Sequence, residues 1–165
     1  MRVIVPGIPK AQPRVRPSGR GHGVWMPETA SAWRAAVAAA VRAHPAFPAE
    51  PWTGPVRVDL FLLFPRPKRL MRKRDRNGPM WHFVKPDRDN CDKAVLDALG
   101  VAKRLRRGAV AGLRKAGLFR DDCQVCDGRI VKLYCEKRGE PRAVIVAEQI
   151  TWEPDGVPME GDNGD

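Results

Sequence analysis

One run of nine residues, Val56 to Phe64, constrains the fold of this chain more than any other segment. Its first half alternates apolar and charged residues, and its second half is apolar at every position. A pattern that begins with alternation and becomes continuously apolar is typical of a strand inside a sheet rather than at its edge. We therefore expect a central β-strand here.

The segments on either side predict an α+β fold. In chain order they are assigned to a short strand over 2–5, an alanine-rich helix beginning near Ser31, a short strand near 81–84, a helix from about Asp89, and strands at about 124–134 and 143–152. The last two strands flank a turn and are expected to form a hairpin. The principal elements thus follow the order β-α-β-α-β-β, with a mixed sheet of about four strands and two main helices.

We expect one domain over residues 1–152. Residues 153–165 are acidic and contain glycine and proline, which predicts a flexible tail.

The second predicted helix has an apolar side and a polar side. With about 100° between successive residues, one face is apolar and expected to be buried: Cys91, Ala94, Val95, Ala98 and Leu99. Asp89, Lys93 and Asp97 recur four residues apart and form one polar ridge on the opposite side. The helix therefore presents alternating charges to solvent.

Acidic residues gather where this helix begins. The segment Lys85–Lys93 reads KPDRDNCDK, and the pair Asp121–Asp122 follows further along the chain. Carboxylates held close together repel one another, so such a cluster suits a cation, and oxygen ligands select Mg²⁺ or Mn²⁺. This kind of ion activates water and neutralises a phosphodiester during hydrolysis, and a nearby lysine can stabilise the charge that develops.

Each of these acids also has a structural explanation, which the sequence leaves open. Asp87 and Asp89 can cap the helix and favour its positive end. Asp97 can pair with Lys93, one helical turn earlier. The pair Asp121–Asp122 can form a turn before the next strand.

The formal net charge of +11 favours a nucleic-acid or anionic-surface partner. A GC-rich genome also enriches arginine and alanine, but it does not explain where the charges lie. They concentrate in three stretches, 10–20, 66–76 and 103–115, which we expect to bind backbone phosphates. The candidate DNA-binding residues are Lys10, Arg14, Arg16, Arg20, Arg66, Lys68, Arg69, Arg72, Lys73, Arg74, Lys85, Arg104 and Arg107.

No apolar run approaches the roughly 18 residues that a membrane helix needs. The amino-terminal segment is too short and strand-like for a signal peptide. We expect a cytoplasmic protein without a membrane partner. The sequence has four cysteines. We favour reduced core cysteines over half of a zinc site at Cys123 and Cys126, because no second pair of metal ligands follows them.

Two motifs together resemble the RusA family of Holliday junction resolvases, which are small Mg²⁺-dependent endonucleases. The first, KPDRDNCDKAVLDAL, begins at Lys85. The second, DDCQV, begins at Asp121 and is followed by a strand that carries Lys132. The opening Pro6–Lys10 is also similar to the family's first residues.

The resemblance implies a RusA-like fold and assigns roles by position. The family's metal-binding acids match Asp87, Asp89 and Asp122, and its catalytic lysine matches Lys93. Mg²⁺ is the implied cofactor, with Mn²⁺ as a substitute. The link Gly100–Gly117 is longer and more basic than is usual in the family, and we expect it to extend the DNA-contacting surface.

The implied partners are branched DNA and a second copy of the chain. A four-way junction has approximate two-fold symmetry, so a homodimer can make paired nicks during DNA recombination and repair. Family members are often encoded by phages or prophages, which leaves the origin of this chain open. The alternative is a non-catalytic basic protein that binds branched DNA. A nucleotide-sugar transferase is disfavoured, because no nucleotide-binding βαβ unit precedes the DxD motif.

Overall fold

The computed structural model describes residues 1–13, 16–17, 24–25, 30–101 and 117–152, with the backbone alone at 16–17 and 24–25. The described part is an α+β fold, as predicted. In chain order its elements are β1 Arg2–Pro6, β2 Arg16–Pro17, β3 Val24–Trp25, α1 Ser31–Arg42, β4 Val56–Phe64, β5 Met80–Trp81, α2 Arg88–Leu99, β6 Val125–Asp127, β7 Ile130–Tyr134 and β8 Arg142–Gln149. Single-turn 3₁₀ helices lie at Lys68–Leu70 and Asp122–Gln124.

The central strand is β4, as the apolar run predicted. It belongs to a mixed sheet in the order β1-β8-β4-β7-β5, and β6 pairs with the first residues of β4. The strand β8 is antiparallel to β4 on one side, while β6 and β7 are parallel to it on the other. Because both hydrogen-bonding edges of β4 are occupied, the strand lies inside the sheet, which accounts for its continuous apolar half.

The main sheet has six strands rather than the predicted four. One reason is that the strand predicted at about 124–134 is two strands, β6 and β7, whose pairing with β4 changes register. Gly128 lies between them with a φ of +152°, and a Cβ there would lie 2.1 Å from the backbone oxygen of Val58. Only glycine tolerates this close approach and this backbone conformation, and the strand is interrupted there.

The predicted hairpin of the last two strands is wrong. β7 and β8 lie on opposite sides of β4 and do not pair with each other. The connection between them therefore passes the end of β4. Apolar alternation along a strand specifies which face is buried, but it carries no information about the neighbouring strand.

Both helices contribute to one core with the sheet. In α1 the buried residues are Trp33, Val37 and Val41, and in α2 they are Cys91, Ala94, Val95 and Leu99. All of these side chains except Ala94 form one cluster with Leu60 and Leu62 of β4. The predicted apolar side of α2 is thus confirmed, except that Ala98 is only half-buried, and the ridge of Asp89, Lys93 and Asp97 is exposed.

The four cysteines divide into two groups. Cys91 and Cys135 are buried, reduced thiols, as predicted. Cys123 and Cys126 are also reduced but are exposed, so the prediction that they are core residues is wrong. They lie on the 3₁₀ turn and on the short strand β6, which leave these side chains at the surface. Across the described ranges, no helix is both long and apolar enough to cross a membrane. The basic link 102–116 and the acidic tail 153–165 lie outside the described residues.

Candidate active site

The first two predicted catalytic acids stand at the start of α2. Asp87 occupies the N-cap position in an extended conformation, and Asp89 lies in the first turn. The Asp87 side chain makes no capping hydrogen bond, so the capping explanation is wrong for this residue. Within the described part of the chain, neither carboxylate forms an ion pair, and both are exposed.

The buried Cys91 thiol lies close enough to both acids to be affected by their charges. Burial raises its pKa to about 11, and the negative charges of Asp87 and Asp89 contribute in the same direction. Lys132 opposes the shift. The charges of all three side chains therefore reach the thiol near the amino-terminal end of α2.

The polar ridge of α2 does not pair internally in the way expected. Asp97 is 3.8 Å from the guanidinium of Arg34 on α1, measured from Oδ2 to Nη1. The expected pairing of Asp97 with Lys93 is therefore replaced by a contact between the two helices. Lys93 is exposed one turn after Asp89, which corresponds to a rise of about 6 Å along the helix.

The pair Asp121–Asp122 forms a turn before β6, and its two members have different surroundings. Asp121 caps the 3₁₀ helix, with its Oδ1 accepting a hydrogen bond from the backbone of Cys123. Gln124 completes this capping box and donates its amide to the carbonyls of Trp52 and Gly54, each at 2.9 Å. The turn is thereby tied to the segment that leads into β4, and the Asp122 side chain is exposed.

Asp122 does not join the other two acids in this structure. It lines a cavity of about 250 Å³ together with Asp97, Leu96 and Arg34, at the carboxyl-terminal end of α2. Asp89 and Asp97 are eight residues apart, a rise of about 12 Å along the helix. Among the described residues, no three histidine, cysteine or acidic side chains are grouped closely enough to hold a metal ion. The expectation that three carboxylates surround one preformed ion site is not met.

The pair Asp87 and Asp89 nevertheless fits a magnesium ion by its chemistry. Mg²⁺ prefers carboxylate oxygens, keeps several of its waters, and is commonly held by one or two carboxylates together with the phosphates of a substrate. Both side chains are exposed and therefore accessible to a hydrated ion and to a phosphate. A third protein ligand is not required by the ion itself.

Lys132 is a site residue to which the sequence analysis gave no role. Its ammonium group donates hydrogen bonds to the carbonyl oxygens of Val84, at 2.8 Å, and of Pro86. Pro86 directly precedes Asp87. The only signal in the sequence was a lysine in an otherwise largely apolar strand after the second motif.

The basic stretch 66–76 is an ordered loop held against the end of β7. Arg66 donates three hydrogen bonds to backbone carbonyls, those of Cys135 at 3.0 Å, Arg76 at 2.6 Å and Gly78. Arg66 is therefore part of the loop's internal structure, and its predicted contact with DNA stays a prediction. Lys137 adds a second tie by donating to the carbonyl of Arg72 at 2.7 Å.

The other predicted cations of this loop are available at the surface. The exposed residues are Lys68, Arg69, Arg72, Lys73 and Arg74. Lys10 and Lys85, also exposed, line a second cavity of about 350 Å³ with Pro86, next to Asp87. Cationic side chains thus lie close to the amino-terminal end of α2. Arg14, Arg20, Arg104 and Arg107 lie outside the described residues, and at Arg16 only the backbone is described.

The chain is similar in sequence to known proteins. A profile of the family Endodeoxyribonuclease RusA matches residues 6–147. The chain is also 29% identical over 156 residues to the Uncharacterized protein YqaN of Bacillus subtilis (strain 168), a match that covers 92% of this chain and 97% of the relative. The family match includes both acidic motifs, the loop 66–76 and Lys132. The chain therefore belongs to the RusA endodeoxyribonuclease family.

Proposed function

We propose that this protein is a Mg²⁺-dependent endodeoxyribonuclease that resolves four-way DNA junctions in the cytoplasm during recombination and repair. The observation that carries the proposal is the pair of exposed carboxylates, Asp87 and Asp89, at the start of α2 in a chain of this nuclease family. The Asp87 carboxylate makes no capping hydrogen bond to the helix. Among the described residues neither carboxylate forms an ion pair, so both are available to a cation and a phosphate.

The proposed reaction is hydrolysis of one phosphodiester in each of two strands. Water attacks the phosphorus, the bond to the 3′-oxygen breaks, and that oxygen takes up a proton. A divalent ion held by Asp87 and Asp89, for which Mn²⁺ can substitute, would supply activation of the water and stabilisation of the departing oxygen. Lys93, exposed on the same ridge, would contact a non-bridging oxygen and stabilise its developing charge.

Asp122 is the third acid of the proposal, supported by its position in the family motif and by its exposed side chain. Because Asp122 lies beside Asp97, at the other end of α2 from Asp87 and Asp89, its contribution to cleavage has to be tested separately.

Exposed cations beside Asp87 and on the loop 66–76 would bind the DNA backbone. Lys10 and Lys85 lie beside Asp87, and the loop 66–76 presents a row of cations on a fixed backbone. Contacts to phosphates depend strongly on salt, so affinity should fall by orders of magnitude between about 50 and 200 mM salt if roughly six phosphates are contacted. We propose a homodimer, because two symmetric nicks require two active sites.

The decisive experiment titrates Mg²⁺ against a labelled four-way junction. We expect symmetric nicks that require the ion, and junction binding that persists when the ion is removed with a chelator. Junction binding without nicking at any concentration of Mg²⁺ or Mn²⁺ would contradict the nuclease proposal and support a non-catalytic protein that binds branched DNA. A linear duplex of the same sequences is the control for structure selectivity.

The tie made by Arg66 gives a prediction about the basic loop. Arg66→Ala should release the backbone of residues 67–78, since hydrogen bonds from a charged donor to three carbonyls are lost. We expect faster amide hydrogen exchange across the loop and a junction Kd raised about tenfold, equivalent to about 1.4 kcal/mol. Arg69→Ala is the matched control, because its side chain is exposed and should weaken binding without changing amide exchange. Unchanged exchange in Arg66→Ala would show that Arg66 does not order the loop.

A further inference from the structure

Lys132 lies on the face of β7 that otherwise carries apolar side chains into the core. It pairs in register with Leu62 of β4, which is fully buried, and its neighbours on the same face of β7 are Ile130 and Tyr134. A lysine there has to place its ammonium group where it finds hydrogen-bond acceptors, because an unpaired buried charge is strongly unfavourable. The side chain is half-buried, so its stem packs in the protein while its charged end reaches the loop before α2.

The acceptors are backbone carbonyls on one short segment. The ammonium group donates to Val84 and to Pro86, and the backbone oxygen of Lys132 accepts a hydrogen bond from the backbone of His82 at 3.1 Å. One residue of β7 thus fixes the segment 82–86 at three points. The segment ends directly before Asp87, so the backbone from which the Asp87 carboxylate extends is held by Lys132.

The position of the charge matters as well as the hydrogen bonds. The ammonium group donates to the carbonyl oxygen of Pro86, the residue directly before Asp87. Burial lowers the pKa of the neighbouring His82, and the charge of Lys132 lowers it further. A positive charge held by two hydrogen bonds therefore lies beside the backbone that leads into Asp87.

We propose that Lys132 is a positioning residue for Asp87, acting through the carbonyls of Val84 and Pro86, and distinct from Lys93, which faces the substrate. The inference rests on the proposed nuclease function. Groups that orient a metal ligand typically contribute about 10- to 100-fold to metal affinity or activity. The effect should appear in the cleavage step and in its dependence on metal concentration, and not in DNA binding.

The test compares Lys132→Met, Lys132→Arg and the unchanged protein on a labelled four-way junction. Single-turnover cleavage rates are measured over a range of Mg²⁺ concentrations, and junction Kd is measured without metal. We expect Lys132→Met to cleave at least about tenfold more slowly and to need more Mg²⁺ for half its maximal rate, with Kd nearly unchanged. Lys132→Arg keeps a charged donor and should recover part of the rate.

Arg42→Met serves as the control for charge, because Arg42 is exposed in the last turn of α1 and removing it changes net charge by the same amount. Circular dichroism establishes that each variant is folded. If Lys132→Met does not fold, the comparison rests on Lys132→Arg, which should shift the Mg²⁺ dependence without changing Kd. The inference would be overturned if every folded Lys132 variant cleaved at the same rate, and with the same Mg²⁺ dependence, as the unchanged protein. Absence of cleavage by the unchanged protein would instead contradict the proposed function.

Discussion

Asp89→Asn is expected to reduce the rate of Mg²⁺-dependent junction cleavage by more than about 100-fold. Loss of a group that only orients a metal ligand typically costs about 10- to 100-fold, and loss of the ligand itself should cost more. The substitution keeps the size of the side chain but removes the charge of an exposed oxygen donor in the first turn of α2. A neutral amide is a poor substitute for a carboxylate toward a hard divalent ion. Single-turnover cleavage of a labelled four-way junction measures the effect.

The matched control is Asp92→Asn on the same helix. Asp92 is half-buried, its carboxyl pKa is raised by burial, and it lies on a different side of α2 from the exposed ridge. Both substitutions remove one negative charge, so a general electrostatic effect on DNA binding would be common to them. We expect Asp92→Asn to retain cleavage. Full activity in Asp89→Asn would remove this residue from the mechanism and leave the acidic cluster without its proposed role.

The parts of the fold that the sequence predicted are those whose side chains repeat over many residues. The nine residues of β4 and the twelve of α2 each carry a pattern long enough to identify both the element and its buried face. What could not be predicted was pairing between distant segments. The strands β7 and β8 are neighbours in sequence, yet both pair with β4, because a strand's own residues do not specify its partner.

The candidate site divides in the same way. The motif places Asp87, Asp89 and Lys93 within two turns of one helix, and that short-range arrangement follows from the sequence alone. Whether Asp87 caps the helix depends on a side-chain rotamer, and only coordinates settle it. The contact of Asp97 with Arg34 and the hold of Lys132 on Pro86 join residues far apart in sequence, so spacing gave no sign of either.

The cations show a similar limit. Composition and position indicated a basic surface, and five side chains of the loop are exposed as expected: Lys68, Arg69, Arg72, Lys73 and Arg74. Arg66 belongs to the same run and has the same chemistry, but its donors are used on backbone carbonyls. An arginine that organises a loop and one that binds a phosphate look identical in sequence, since both are satisfied by oxygen acceptors.

The role of Asp122 is open to a sharper test because its neighbour Asp121 provides an internal comparison. Asp122 is the third acid of the proposed site by its position in the family motif. We therefore expect Asp122→Asn to lower the single-turnover cleavage rate about 100-fold, within the range for loss of a group that acts in the chemical step. The 3₁₀ turn that carries it is fixed by Gln124 to the carbonyls of Trp52 and Gly54, so the substitution should leave the fold intact.

Asp121→Asn removes the same charge one residue earlier. Its oxygen can still accept the hydrogen bond from Cys123, because asparagine caps helices as well as aspartate does, so we expect stability and cleavage close to those of the unchanged protein. Losses confined to Asp122→Asn would establish a specific role for this carboxylate despite its distance from the helix start. Full cleavage by Asp122→Asn would assign it to the cavity that it shares with Asp97 and leave Asp87 and Asp89 as the whole carboxylate set for the ion.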